Sequence, residues 1–138
     1  MTILLDIRGK PKKISISKYA VKWDKKIGSN AQFLTKQFIK NYWNGETVCE
    51  EFIIPGTRLR VDLINFSRKI AIEVSGSQHE NFNKFFHKNR IGFIKSIKRD
   101  FQKIDWLEMN GFKLAEIYDY EVKNLDKAFF KNKFDISL

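Results

Sequence analysis

One cysteine, two prolines and two histidines are all that this chain of 138 residues holds of three types on which much chemistry turns. With Cys49 alone, an intramolecular disulfide framework and a cysteine-based zinc cluster are both excluded. Its apolar and β-branched neighbours predict a buried structural thiol rather than a nucleophile. No stretch nears the roughly 18 consecutive apolar residues of a membrane span. The opening MTILLDIRGKPKK has only a short apolar run, too little for a signal-peptide core. No repeat or low-complexity tract is present. These absences predict a cytoplasmic protein with no membrane partner.

What the chain does have is positive charge. Lys and Arg number 26 against 16 Asp and Glu, a net charge of +10, and the isoelectric point is about 9.7. Such a balance favours a polyanion, nucleic acid first and an anionic membrane surface second. A hydrophobic share of 43% and an aromatic share of 14% exclude wholesale disorder. The bias to Lys over Arg, with many Asn, Ile and Phe, suits an AT-rich and viral genome. One domain with one core is the expectation from length.

Residues 1–28 stand apart, with eight Lys and Arg against Asp6 and Asp24, and with Tyr19 and Trp23 interleaved. They read either as a basic arm for a nucleic-acid backbone or as a small β extension whose aromatics pack on the core. Residues 29–138 form the main domain. SNAQFLTKQFIKNYW predicts a helix with a Ser29–Gln32 capping box and an apolar face of Ala31, Leu34, Phe38 and Tyr42. VCEEFII predicts a strand (48–54) ending at the Pro55-Gly56 turn, followed by two strands within RLRVDLINFSRKIAIEVSGSQH (58–79). Residues 75–90 read as a loop or loose helical excursion. A second helix follows, with Ile94, Ile97, Phe101, Ile104 and Leu107 as its stripe and Gly111 as its stop. A strand over 112–118 and a short basic helix complete the chain. The order predicts an α/β to α+β fold, a mixed sheet flanked by helices.

The hairpin carries the chemistry. A turn centred on Ser67-Arg68 sets Asp62 opposite Glu73 and sends both to one face, with Leu59, Val61, Leu63, Ile70, Ile72 and Val74 on the other. Opposed residues have Cβ atoms roughly 4.5–5.5 Å apart, and like charges there repel. A hard divalent cation such as Mg²⁺ relieves that repulsion. Two solvated strand residues are the bland alternative. Pairing across Pro55-Gly56 sets Glu51 opposite Arg60, either as a cross-strand ion pair or as a third acid of the metal site. Gly76 lets the chain leave the strand sharply, which could return His79 toward the carboxylates as base, water holder or ligand. His87 reads as a surface residue.

A strand Asp, a ten-residue gap, an apolar strand with Glu, then Gly and His resemble the PD-(D/E)XK nuclease superfamily. Within it, VDLINFSRKIAIEVSGSQH and SIKRDFQKIDWLEMNGFKLAEIYD resemble the very-short-patch-repair-like endonucleases, over about residues 29–120. The resemblance implies a restriction-endonuclease-like sheet and a DNA endonuclease dependent on Mg²⁺, with Mn²⁺ as substitute. Asp62, Glu73 and the main-chain carbonyl of Val74 would be ligands, and His79 an auxiliary base. Two positions depart from the pattern: Val61 stands for the usual proline and Ser75 for the usual lysine. Arg99 or Lys103, one turn apart on the second helix, would then supply the missing cation, with Gln78 a further polar group. Lys10, Lys12, Lys13, Lys18, Lys22, Arg60, Lys84, Lys88 and Arg90 are the expected contacts to duplex or branched DNA. Recombination, repair, Holliday-junction resolution and site-specific or homing cleavage all fit, as does a homodimer. The competing reading is a nuclease-like fold kept as a non-catalytic DNA-binding module.

Overall fold

A computed structural model describes residues 2–76 and, from residue 90 on, the backbone, with side chains from residue 98. Residues 1–28 contribute a hairpin, β1 (Thr2–Leu5) and β2 (Pro11–Ile14), and a 3₁₀ turn at Ser17–Tyr19. Helix α1 (Asn30–Trp43) leads into the antiparallel strands β3 (Val48–Ile53), β4 (Arg60–Asn65) and β5 (Ile70–Ser75). Helix α2 (Arg90–Met109) then crosses to β6 (Lys113–Tyr118), which pairs with β5 in parallel. A 3₁₀ helix (Asp119–Asn124) and α3 (Lys127–Phe134) close the chain. The fold is α+β: a mixed sheet in the order β3-β4-β5-β6 and a separate two-stranded one.

Helix boundaries follow their local chemistry. Ser29 and Gln32 form the expected reciprocal capping box. Gly111, at φ +78°, ends α2 in a Schellman turn, with Gly111 N–H donating to Glu108 and Phe112 N–H to Leu107. Asp126 caps α3 by accepting from Phe129 N–H at 2.7 Å.

Both faces of the four-stranded sheet are covered. Trp106 and Leu107 of α2 and Leu4 of the hairpin pack with Cys49, Phe52, Val61, Ile64 and Ala71 on one side. Ile39 and Trp43 of α1 and Phe130 of α3 pack with Leu63, Ile70, Ile72 and Ile117 on the other. Covering both faces lets apolar residues follow one another along β4 and β5 without alternation.

Several expectations change. The buried side of α1 is Thr35, Lys36, Ile39 and Trp43, one position on from the anticipated stripe, and Leu34 is exposed. On α2, Phe101 is exposed while Trp106 and Leu107 are buried, because the hairpin covers the helix's C-terminal half. The β3–β4 register also differs: Ile53 lies opposite Arg60. Pro55 followed by Gly56 at φ +87°, with Thr57 N–H donating to Ile54, makes a type II pattern. Such turns splay their flanking strands, so the hairpin closes at Ile54 and Leu59 around a four-residue loop. Glu51 therefore faces Asp62.

The β4–β5 register is as the sequence implies, with Leu63, Ile64 and Asn65 opposite Ile72, Ala71 and Ile70. The next step places Asp62 opposite Glu73. Asn65 fixes the turn by accepting from Arg68 N–H, and Arg68 holds Glu46 through two bonds of 2.7 and 2.8 Å. The expected sorting of faces fails in one respect. Leu63 and Val74 lie on the α1 side, but Leu59 and Val61 pack on the α2 side. The switch falls at Asp62, opposite Glu51, whose φ of +49° breaks the pairing between Glu50–Leu63 and Phe52–Val61.

Candidate active site at the mouth of the β4–β5 hairpin

Asp62 and Glu73 meet at a cleft of about 210 Å³. Its walls come from β5 (Glu73, Val74, Ser75), β6 (Leu114, Glu116) and α2 (Asp100, Lys103, Ile104). Asp62 is held on both oxygens: Oδ2 accepts from Val74 N–H at 2.8 Å, and Oδ1 from the Gln32 amide at 2.9 Å. Glu73 Oε2 accepts from Asp62 N–H at 3.2 Å, and Oε1 takes the Lys103 ammonium at 2.8 Å. Burial, then the charge of Glu73, push the Asp62 carboxyl up to about 8. The Val74 N–H counteracts part of this, and Glu51 adds to it. Burial alone would lower the Lys103 pKa, but Glu73, Asp62 and Asp100 outweigh it and the net shift is upward.

The anticipated acids and the lysine of α2 thus come together. Arg99 is exposed and does not line the cleft, whereas Lys103 does. Ser75 itself hydrogen-bonds Glu116 at 3.1 Å. Glu51 is joined to Asp62 through Gln32, whose amide also reaches Glu51 at 3.3 Å, while Arg60 lies 3.9 Å from Glu51 on the exposed side. Lys10, Lys12, Lys13, Lys18, Lys22 and Arg60 are exposed. Gln78, His79, Lys84, Lys88 and the Arg90 side chain lie outside the described residues. Cys49 is buried, and burial pushes its thiol up to about 11.

Three residues at or beside the site escaped the sequence reading. Glu116 stands beside Glu73 across the parallel β5–β6 pair, a juxtaposition made by the α2 crossover and carrying no local signal. Asp100, one turn before Lys103 at i, i+3 spacing, also lines the cleft. Lys36 and Glu50 form a buried ion pair at 2.8 Å beside Asp62. Lys36 also donates to the carbonyls of Lys22 and Lys25, and Glu50 accepts from Lys22 N–H. Their signal was a Lys and a Glu at positions that burial otherwise reserves for apolar groups.

No protein-family model and no solved structure matches the chain. A protein of Invertebrate iridescent virus 3, described as uncharacterized protein 033L, is 34% identical over 73 residues. Those residues cover 53% of this chain and 37% of the viral protein, so the match takes in about a third of its length.

Among the described residues, no group of three or more His, Cys, Asp or Glu side chains is placed to hold a metal ion. The Asp62–Glu73 pair is a smaller donor set. Two opposed carboxylates, one of them already paired with Lys103, are a donor set that a hard cation could take while completing its shell with water. No helix of the described residues is long and apolar enough to cross a membrane.

Proposed function

We propose that this protein is a metal-dependent DNA endonuclease of the PD-(D/E)XK, very-short-patch-repair-like kind, virus-encoded and acting in the host cell. One observation carries the reading: two opposed, half-buried carboxylates share a cleft with a lysine ammonium in a protein of net charge +10. The ordered motif resemblance supports it, and the viral relative supports the source. Asp62, Glu73 and the Val74 carbonyl would hold Mg²⁺ or Mn²⁺, with Glu51 behind them. Bound there, the ion would polarise the scissile phosphate and lower the pKa of an attacking water. Gln32 and the Val74 N–H fix the rotamer of Asp62. The Lys103 ammonium, facing the cleft, neutralises charge that develops on the phosphate. The exposed lysines of residues 10–22 and Arg60 draw in the DNA backbone.

The test is cleavage of linear duplex, supercoiled plasmid, mismatched and four-way-junction DNA in Mg²⁺ or Mn²⁺. Wild type should cut at least one substrate, and Asp62→Asn and Glu73→Gln should cut none. Binding without cutting in every case would assign the fold to a non-catalytic DNA-binding module. Cutting that survives both substitutions would place the active site elsewhere. Junction-only cleavage would identify a resolvase.

A further inference from the structure

We propose that the stacked pair Tyr118–Tyr120 is a platform for an unpaired base beside the cleft, so that the substrate is single-stranded, frayed or branched nucleic acid. The proposal rests on the nuclease reading for the role of the cleft, but the platform itself can be tested without cleavage. Tyr118 ends β6 and is paired with Ser75, and Ser75 and Glu116 both line the cleft. Tyr120 follows in the 3₁₀ helix, with its ring parallel to that of Tyr118 (interplanar angle 2°, centroids 5.7 Å apart). Tyr118 is anchored: the Lys133 ammonium lies 5.0 Å from its ring centroid and is itself held by both Glu121 oxygens at 2.7 Å. Tyr120 is 64% exposed, an unusual state for a ring already set in a stack. Its position is fixed while much of its surface remains open to solvent.

A second groove, of about 380 Å³, begins where the cleft ends. Val74 and Ser75 line both, and the second is also bounded by the start of α1 and by Asp119, Val122 and Lys123, the sequence neighbours of Tyr120. A strand leaving the cleft along this groove would run past the chain neighbours of Tyr120, with Lys123 available to its phosphates. Bases inside a duplex have both faces covered by their neighbours, so a fixed exposed ring gains only from a base that has left the stack. The ring is tolerant of base identity, because every base offers a π face.

The experiment titrates protein in the Asp62→Asn background, where cutting is suppressed, into short oligonucleotides carrying 2-aminopurine, as single-stranded DNA, single-stranded RNA and blunt duplex. Fluorescence quenching on a single strand is the expected result, and whichever polymer shows it is the one the platform takes. Adding Tyr120→Ala should remove the quenching and weaken single-strand binding on the order of tenfold, while Tyr120→Phe retains both. Duplex affinity should stay the same in all variants. The thermal midpoint of Tyr120→Ala should match its parent, since the residue is exposed. The proposal is overturned if Tyr120→Ala quenches and binds like its parent, or loses as much on duplex as on single strand. Quenching by a protein whose wild type cuts no DNA would keep the platform and remove the nuclease. Cutting by wild type with Tyr120→Ala unchanged would do the reverse.

Discussion

Asp62 is the residue on which most depends. Its folded-state pKa, about 8, lies above the ordinary carboxylate value of 3.8, so between those limits the folded protein binds the extra proton. The metal-free protein should therefore lose stability through this group as pH rises from about 4 to about 8. Asp62→Asn should remove that loss, so that in chelator its unfolding midpoint exceeds that of wild type increasingly toward pH 8. Added Mg²⁺ should narrow the gap by stabilising wild type alone. Chemical denaturation at several pH values, with and without Mg²⁺, checks all three. Lys103 makes a separate claim. Lys103→Ala should lower the cleavage rate at saturating Mg²⁺ on the order of 100-fold. Its half-saturating Mg²⁺ concentration should not rise, because removing a cation leaves Glu73 freer to bind one. The opposed acids were legible in the sequence because the hairpin register is set locally by Asn65 and Arg68. Glu116 was not, since a parallel neighbour is assigned only by the crossover between the strands.

At the scale of elements, the β3–α1 junction is where local rules and the fold diverge. Glu51 adopts a left-handed backbone, uncommon outside glycine, and so interrupts the β3–β4 pairing where it meets Asp62. The break accompanies a double engagement: Glu50 with Lys36, and Glu51 with Gln32, both on α1. Periodicity placed the apolar face of α1 one residue early because Lys36 is buried, and a buried lysine is invisible to a hydrophobic pattern. The Lys36–Glu50 pair has further partners in Lys22 and Lys25, so removing one member leaves a buried charge unmatched. Glu50→Ala should cost about 3–5 kcal/mol in denaturant unfolding. Lys36→Met combined with Glu50→Leu should cost clearly less than the sum of the single changes, since no lone charge remains. The capping box, the Gly111 stop and the strand positions were all readable, because each depends on residues within a few positions of one another.

For the whole molecule, charge and layering act together. The hairpin places Arg8, Lys12 and Lys13 around a further cleft of about 490 Å³. Nucleic-acid affinity should fall linearly on logarithmic axes with salt. Lys12→Ala with Lys13→Ala should make that slope shallower by about one for each phosphate the hairpin no longer neutralises. A slope unchanged by the double substitution would show that this hairpin does not meet the backbone. The sequence left residues 1–28 open between arm and packed extension. Leu4 is buried in the core, and the main chain of Leu5 bonds Asn110 and Trp106, 105 and 101 positions away. Those separations set an order of events during synthesis. At about 5–20 residues per second, the first strands wait roughly 5–20 s on the ribosome before their docking surface exists. This hairpin, made well before the helix it docks on, is thus among the last elements to be locked in place. Through that interval Leu4 is open to chaperones, and to the same hairpin on a neighbouring nascent chain.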